Sequence, residues 1–379
     1  MTTKRSIFED VTEDTPAQAA PTKGVIDSAK RGARGPIRAW LMVLFVLVVV
    51  MIAVGGLTRL TDSGLSITEW RPVTGALPPM SAEAWDVEFE KYRAIPEYQL
   101  QNKGMSLEEF KVIYWWEWGH RQLGRFIGLV WAVGFFFFLA TKRIPTGWTG
   151  RLLLPGLLGG LQGAIGWWMV SSGLTGTMLD VASYRLATHL GLAFVILSVL
   201  AWYIMLLNRS ETDLLQARRA REPRLGAMAG WLIGLAFLQI LIGALVAGID
   251  AGRTFTDWPL MAGGFFPPDA YYLVPGWRNF FENPGLVQFI HRMVGYVLIF
   301  YALLTWFKSR RSSFNATRTA FSLMMAMMFL QIVLGIVTVL YIAPLHLALI
   351  HQFGAVVLIT LILRARFLTQ YPLSQSLRI

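Results

Sequence analysis

Long apolar runs alternate with short polar segments from residue 39 onwards. Eight runs are close to the length of a bilayer-spanning helix, for which about 20 apolar residues are typical. They cover 39–61, 115–141, 152–171, 185–207, 229–249, 287–307, 320–342 and 345–364. Only a tight turn around Pro344 separates the last two. The pattern predicts an all-α polytopic membrane protein with eight transmembrane helices, called spans 1 to 8, because a barrel would show short alternating strands instead.

The basic residues cluster on one side of this topology. The chain is 55% hydrophobic and 15% charged, with a formal net charge of +11. Each cluster lies before an odd span or after an even one, so the positive-inside rule places all of them, and both termini, in the cytoplasm. The positive net charge is therefore explained by membrane topology and by contact with membrane lipid. No nucleic-acid partner is predicted. The clusters are Lys23, Lys30, Arg31, Arg34 and Arg38; Lys142, Arg143 and Arg151; Arg209, Arg218, Arg219, Arg221 and Arg224; Lys308, Arg310, Arg311 and Arg318; and Arg364 and Arg366.

Residues 1–36 are polar, mixed in charge and without a cleavable apolar signal. They are predicted to form a disordered cytoplasmic tail. The acidic residues at its start argue against a mitochondrial transit peptide, which favours a bacterial inner membrane. Because the chain has no cysteine, disulfides, thiolate heme ligation and iron–sulfur clusters within it are excluded.

Part of the sequence occurs twice. Gly55–Trp70 leaves span 1 and Gly243–Trp258 leaves span 5, and the two stretches share Asp, Gly, Thr, an acidic residue and Trp at the same offsets. A repeat four spans apart predicts two pseudo-symmetric four-helix bundles with the same orientation. The predicted division is a tail at 1–36, an N-terminal half at 37–208, a basic cytoplasmic linker at 209–228, a C-terminal half at 229–366 and a cytoplasmic tail at 367–379.

Four histidines lie near the start of the even spans: His120, His189, His291 and His351. Since these spans all run inward, the imidazoles are expected at similar depth, toward the extracytoplasmic side. An imidazole inside a membrane is costly unless something binds it, and a facing pair suits a heme iron. The pattern predicts one heme site in each four-helix half, His120 with His189 and His291 with His351. Zinc would need a compact cluster of three or four ligands, which the sequence lacks.

His346 complicates the fourth ligand. It precedes His351 by five residues and therefore lies on a different helix face. Either histidine could pair with His291, and His351 is favoured because it lies deeper in the span.

A smaller motif, Leu-Gln-x-x-x-Gly, occurs in spans 3, 5 and 7. Its glutamine and glycine share one helix face, which allows a close helix contact beside one polar group. Helix packing is the favoured interpretation, and ligand contact is the alternative. The glutamine–glycine pairs are Gln162 and Gly166, Gln239 and Gly243, and Gln331 and Gly335.

Arg121 and Arg292 directly follow two of the histidines, in a shared His-Arg-x-x-Gly motif. An arginine at this depth needs an anionic partner, and a heme propionate fits because a guanidinium binds it bidentately. Lipid headgroups or an ion pair with the outer loops are the alternatives.

One turn before these histidines, the halves differ. Glu117 precedes His120, whereas Gln288 precedes His291. A carboxylate can exchange a proton or stabilise positive charge, while an amide only forms hydrogen bonds. The difference predicts catalysis in the first half and a resident cofactor in the second. The alternative, that Glu117 merely pairs with Arg121 or Arg125, stays open.

From Gly55 onward, the chain resembles the heme A synthase family, in particular its proteobacterial and mitochondrial-like branch. The motifs that carry the resemblance are Gly55-Gly-Leu-Thr-Arg-Leu-Thr-x-Ser-Gly-Leu-Ser, Glu117-x-x-His120-Arg121, Thr188-His189, the stretch from Asn279-Phe-Phe-Glu-Asn283 to Gln288-Phe-x-His291-Arg292, and His351-Gln352.

The resemblance implies a membrane oxidoreductase that converts heme O to heme A by oxidising a ring methyl to a formyl group. It implies a substrate heme at His120 and His189, with Glu117 important for activity, and a permanent heme b between His291 and His351. The expected partners are heme O synthase, the cytochrome oxidase assembly machinery and an unidentified electron-transfer partner, and a homo-oligomer is compatible with this assignment. Some family members have an extracytoplasmic cysteine pair that this chain lacks, so a thiol-dependent step cannot operate here.

Two rival functions remain at the level of sequence. A di-heme b-type electron carrier or quinol oxidoreductase predicts two equivalent hemes and leaves the difference between Glu117 and Gln288 without a reason. A heme transporter or chaperone predicts exchangeable heme that leaves unmodified. A secondary transporter is disfavoured, because the histidines lie toward one membrane face rather than the midplane.

Overall fold

The computed structural model describes residues 33–373 except Thr177. In this part of the chain, eight helices are long and apolar enough to cross a membrane, which confirms the predicted number of spans and the all-α class. The predicted tails fall largely on residues 1–32 and 374–379, which lie outside the described residues. Spans 1 to 8 are Arg34–Leu60, Leu107–Ala140, Thr149–Val170, Ser183–Leu207, Pro223–Gly248, Pro284–Ser309, Asn315–Leu340 and Leu345–Gln370.

Shorter helices fill the connections. A capping box precedes span 2, since Ser106 Oγ accepts from Glu109 N and the Glu109 carboxylate accepts from Ser106 N. It starts span 2 at Leu107, well before its apolar run begins. The other α-helices are Ala82–Arg93, Pro96–Leu100, Glu211–Arg219 and Asn279–Glu282, and 3-10 turns cover Thr74–Ala76, Ala251–Arg253 and Gly276–Arg278.

Spans 1 to 4 form a ring of neighbours, and spans 5 to 8 form a second ring. Spans 1 and 3 both pack against spans 2 and 4, and spans 5 and 7 both pack against spans 6 and 8. The even spans therefore face each other diagonally within each ring. Contacts of span 4 with span 5, and of span 8 with spans 1 and 4, join the rings.

The outer surface of the rings is apolar. Val46 is 58% exposed, Phe136 59% and Trp231 70%, and many neighbouring side chains are equally open. A soluble protein rarely presents so large an apolar surface to water. The surface is instead matched to lipid, which identifies a multi-pass membrane protein.

The helix ends that carry the basic clusters meet at one end of the molecule, here called the basic end. Ala33 N donates to Arg143 O, Arg34 donates to Arg209 O, and Arg209 donates to Tyr371 O. These bonds connect the start of span 1 with the ends of spans 2, 4 and 8. The opposite end, called the loop end, carries segments 61–106, 171–182 and 249–283.

Left-handed residues turn the chain at the loop end. Asp62 and Asp250, at matching positions of the repeat, have φ values of 48° and 50° near the ends of spans 1 and 5. Aspartate tolerates this region better than most residues. Ile342 and Ala343, with φ values of 62° and 49°, form the tight turn before Pro344 that separates spans 7 and 8.

Candidate functional site

The four predicted histidines lie in the even spans, in the part of each span nearer the loop end. All four are partly buried. His346 differs from them, because it lies close to the turn before span 8 and is exposed.

Each of the four histidine rings packs against a glycine of an odd span. A Cβ atom built on any of these glycines would approach the Cε1 atom of the ring to 3.2 Å or less. An alanine would therefore displace the imidazole, and the same close contact occurs four times. The distances are 3.1 Å for Gly55 and His120, 2.8 Å for Gly166 and His189, 3.2 Å for Gly243 and His291, and 3.0 Å for Gly335 and His351.

The histidines come together in the pairs that the sequence predicts. His120 and His189 lie on diagonal spans and are close enough to interact electrostatically, as are His291 and His351. Two imidazoles brought together on diagonal spans of a four-helix ring supply the kind of donors that a heme iron takes.

The three glutamines of the Leu-Gln-x-x-x-Gly motif, which the sequence analysis assigned to helix packing, contact three of the histidines. In each case Gln Nε2 donates to the main-chain carbonyl of the histidine and lies 3.2 Å from its Nδ1 atom, while Gln Oε1 is buried without a partner among the described residues. The threefold recurrence of glutamine one turn before the glycine was the available signal. The donor–carbonyl distances are 2.9 Å from Gln162 to His189, 2.9 Å from Gln239 to His291, and 2.7 Å from Gln331 to His351.

His120 has no such glutamine. His120 packs against Gly55, and the residue one turn before Gly55 is Met51. The Met51 Cε atom would lie 3.5 Å from a Cβ on Gly124 of span 2. In the second half, Gln239 Nε2 would lie 3.3 Å from a Cβ on Gly295, the glycine that matches Gly124. Met51 therefore occupies in the first half the position that the Gln239 amide occupies in the second. Consistent with this replacement, His120 Nδ1 is buried and has no partner within the described chain.

Glu117 is held by four hydrogen bonds beneath the first long loop. Its Oε1 atom accepts from Arg121 Nε and Nη2 at 3.1 and 2.6 Å, and its Oε2 atom accepts from Ser66 Oγ and Ile67 N at 2.8 and 2.7 Å. The residue is only 3% exposed. Ser66 Oγ also lies 3.3 Å from Ile113 O, so its hydroxyl has a second acceptor if it turns away from the carboxylate. Of the two cations that the sequence offers as partners, Arg121 forms the ion pair.

The two arginines bind equivalent loop carbonyls. Arg121 donates to Ile67 O and Glu69 O at 2.8 and 3.1 Å, while Arg292 donates to Phe255 O and Asp257 O at 3.1 and 2.9 Å. With Glu117 included, Arg121 uses four of its five N–H groups. One N–H group is left for an anion, which allows a single bond rather than the bidentate contact expected from the sequence.

Gln288 occupies in the second half the position of Glu117, and it donates a hydrogen bond to the loop where Glu117 accepts one. Glu117 accepts a bond from the main-chain nitrogen of Ile67, whereas Gln288 Nε2 donates at 3.0 Å to the main-chain carbonyl of Phe255, the matching loop residue. Arg292 consequently makes no ion pair within the described residues. Asp257 is near enough to interact with Arg292 electrostatically but forms no direct ion pair with it, and Gln288 Oε1 accepts from Arg292 at 3.4 Å.

A cavity of about 370 Å³, lined by both charged and apolar side chains, opens at the loop end near Arg121. Arg121 and Ile67 line it, and both hydrogen-bond to Glu117. Its opposite wall is charged, with Lys91 bridging Glu88 and Glu69 at 2.8 and 3.1 Å. Glu117 is therefore connected to a water-accessible space through its own hydrogen-bond partners.

The donor set fits heme rather than a bare metal ion. Among the described residues, no group of three or more histidine or acidic side chains is arranged to hold a metal ion. Two imidazoles brought together, close-packed glycines and unpaired polar atoms beside the rings match what an iron porphyrin needs.

Comparisons with known proteins agree with this chemistry. A family model described as cytochrome oxidase assembly protein matches residues 38–363. A protein from Dinoroseobacter shibae named heme A synthase is 69% identical over 379 residues, which cover 100% of this chain and 99% of that protein. Proteins of the same name from Ruegeria pomeroyi and Paracoccus denitrificans are 65% and 61% identical, over 100% and 99% of this chain and 100% and 98% of their own lengths.

Proposed function

The chain belongs to the cytochrome oxidase assembly protein family, and on that premise we propose that it is a heme A synthase, a membrane oxidoreductase acting on heme O. The substrate methyl group becomes a formyl group. With water as the formal oxygen donor, the conversion adds one oxygen atom and releases four electrons and four protons, in two oxidations through the alcohol and the hydrate. The protein must therefore bind the macrocycle, remove electrons and remove protons.

The substrate heme binds between His120 and His189 in the first ring of spans. The two imidazoles orient the macrocycle, and Gly55 and Gly166 let the rings lie close to the helix backbones. Arg121 contributes its remaining N–H group to one propionate. Lateral entry from the bilayer suits so apolar a substrate.

Glu117 receives the protons released in the first half. A carboxylate with four donors must give up one bond to accept a proton, and the Ser66 hydroxyl is the donor that can turn, because Ile113 O offers it another acceptor. Glu117 passes the proton to water in the adjoining cavity, which Arg121 and Ile67 line, while the Arg121 guanidinium keeps its charge. The ion pair with Arg121 keeps the carboxylate in place between turnovers.

His291 and His351 in the second ring would hold a resident heme b. When bound, it supplies one-electron transfer between the substrate site and an external partner. Gln288 and Arg292, which has no direct ion pair among the described residues, suit this role, because the arginine could bind a propionate and electron transfer needs no proton acceptor. We assign residues 37–208 to the substrate half, 229–366 to the cofactor half and 209–228 to the linker between them.

The protein resides in the bacterial inner membrane with the basic end in the cytoplasm. The positive-inside rule supports this orientation, which places both termini inside and both heme sites toward the extracytoplasmic side. Heme O synthase, as the supplier of substrate, and the oxidase assembly machinery, as the consumer of product, are the expected partners.

The single observation that carries the proposal is the difference between two otherwise matched sites. Histidine, glycine and arginine contacts recur in both, but only the first contains a carboxylate, and that carboxylate is connected to the cavity at the loop end. An electron carrier with two equivalent hemes does not require this difference.

Mass analysis of the hemes that copurify with the protein tests the function. The wild-type protein should contain heme b together with heme O and its oxidised products. In Glu117→Gln and Glu117→Ala, heme O should stay bound while its products fall by about 100-fold or more. Glu109→Gln, on the same helix but in the capping box, is the matched control and should keep the wild-type products. A wild-type protein with heme b alone in both sites would contradict the proposal.

A further inference from the structure

Three of the four histidines have an amide beside the ring, and one does not. The Nε2 atoms of Gln162, Gln239 and Gln331 lie 3.2 Å from the Nδ1 atoms of their histidines, and those of Gln162 and Gln239 lie 3.4 and 3.3 Å from the other ring nitrogen. His120 Nδ1 is buried without a partner within the described chain, and Met51 occupies the place of the amide. Both members of the second pair have a glutamine, whereas the first pair has one only at His189.

The ring nitrogen opposite the iron decides how firmly an imidazole is held. A histidine that binds iron through Nε2 is neutral and carries its proton on Nδ1, and a hydrogen-bond partner there fixes the ring and raises its basicity as a ligand. Each glutamine has a buried Oε1 atom without a partner among the described residues. Rotation of the terminal amide presents that oxygen to the ring N–H, while the histidine carbonyl retains its bond within the helix.

Met51 cannot supply this acceptor. A thioether is only a weak acceptor, and the methionine end that packs toward Gly124 is a methyl group. When His120 binds iron, its Nδ1 proton therefore stays buried without a strong partner. Such a group is destabilised relative to its matched copies, and the iron bond of His120 is weakened accordingly.

We propose that His120 is the releasable axial ligand of the substrate heme, and that Met51 in place of glutamine makes it so. The inference rests on the proposed function, since a substrate heme must enter, react and leave, whereas a resident heme must stay. Release of His120 opens the substrate on the side of span 2, the helix that also carries Glu117 and Arg121. His189, His291 and His351 remain bound because each has its glutamine.

Carbon monoxide binding to the dithionite-reduced full-length protein tests this assignment, because a bis-histidine heme binds the gas only after one histidine leaves. The protein is loaded with heme O and heme b, and the rate is followed in the Soret band at saturating gas. The wild-type protein should show one reactive heme. Met51→Gln should slow that reaction about 10-fold, the equivalent of one hydrogen bond. Met51→Leu, which removes the sulfur without adding an amide, should leave the rate within about twofold of wild type.

The reciprocal substitution supplies an independent measurement. Gln239→Met removes the amide from His291 and should make the heme of the second pair reactive, which adds a second kinetic phase. An unchanged rate in Met51→Gln would overturn the proposal, as would equal slowing in Met51→Leu or the absence of a new phase in Gln239→Met. The absorbance of the other heme reports folding of each variant. The fate of heme O, measured in the same samples, tests the proposed enzyme activity separately, because release of His120 is measured whether or not heme A is formed.

Discussion

Glu97 is a buried acid in the first loop that no cation neutralises within the described residues. It is 3% exposed, and its Oε1 atom accepts from Tyr92 Oη and Asn102 Nδ2 at 3.1 and 3.2 Å. Burial raises the pKa of Glu97 to about 8, with smaller contributions from nearby acids, while the Tyr92 hydrogen bond opposes the increase. The folded loop therefore holds a proton that the unfolded chain releases near pH 4.5.

The stability of the loop should consequently fall as the pH rises. The contribution of Glu97 is complete below its ordinary pKa of 4.5 and is lost progressively up to about 8. Glu97→Gln stays neutral, so at about pH 8.5 it should be more stable than wild type by an amount on the order of a few kcal/mol, with little difference near pH 5. Thermal unfolding across this range measures the effect. The exposed Glu90→Gln is the control, and equal pH slopes for Glu97→Gln and wild type would refute the prediction.

The chemistry of single residues was partly predictable from the sequence. The histidines, Glu117 and the arginines are polar residues within apolar runs, and a membrane makes such residues conspicuous. Their partners were not predictable, because Glu117 accepts from Ser66 and Ile67, about fifty positions away along the chain. The role of Met51 was invisible for the same reason, since methionine in an apolar helix is ordinary.

At the level of elements, the close approach between odd and even spans depends on glycine. The tightest of the four contacts is that of Gly166 with His189. Gly163, on the same helix, makes no such contact, because a Cβ atom at that position would meet no other atom within 4 Å. Alanine at either position changes the helix propensity, but only alanine at Gly166 would also displace the His189 ring.

Gly166→Ala should displace the His189 imidazole and reduce binding of the substrate heme. The overpacking costs about 1–3 kcal/mol. Total heme per protein should fall by about half if the second site keeps its heme. Gly163→Ala should bind normally and be slightly more stable, because alanine favours the helix. Pyridine hemochrome analysis gives the heme-to-protein ratio, and equal heme contents in the two variants would contradict the proposed packing role.

The observed helix boundaries differ in places from the boundaries of the apolar runs. Span 2 begins at Leu107 rather than near 115, because the capping box at Ser106 starts a helix before the membrane begins. Hydropathy locates the part of a helix that lies in lipid. The residue at which a helix starts depends on which groups accept hydrogen bonds from its first N–H groups.

At the level of the whole molecule, one arginine joins the two rings of spans. Arg59 at the end of span 1 lies 2.9 Å from Asp62, 3.0 Å from Asp250 and 3.6 Å from Asp180. Its side chain is 12% exposed, so water screens these contacts only partly. Gln352 adds a second connection, because its Nε2 atom donates at 2.7 Å to the Ile52 carbonyl of span 1.

Arg59→Gln should loosen the junction by about 1–2 kcal/mol, because Asp62 and Asp180 then lie beside Asp250 without their cation and only Asp250 keeps one, the exposed Arg253. Burial raises the pKa of Asp180 and Arg59 lowers it, so the substitution raises this pKa further. The variant should therefore regain stability as the pH falls and Asp180 becomes protonated, and lose it as the pH rises.

Thermal unfolding at several pH values measures the contribution of this junction. Arg253→Gln is the matched control, because Arg253 contacts Asp250 at 3.7 Å from an exposed position and should contribute less than about 0.5 kcal/mol. Equal destabilisation by the two substitutions, at every pH, would show that Arg59 does not join the rings in this way.

The sequence by itself determined the number of spans, the helical class, the four histidines and the difference between Glu117 and Gln288. These are local properties, since a bilayer of constant thickness requires apolar runs of constant length and penalises every polar residue inside them. The tertiary structure decided which three histidines have glutamine partners and which one has methionine. It also decided that Arg121 is balanced by Glu117 while Arg292 has no ion pair among the described residues. These contacts join residues far apart along the chain, and only the packing of one helix against another brings them together.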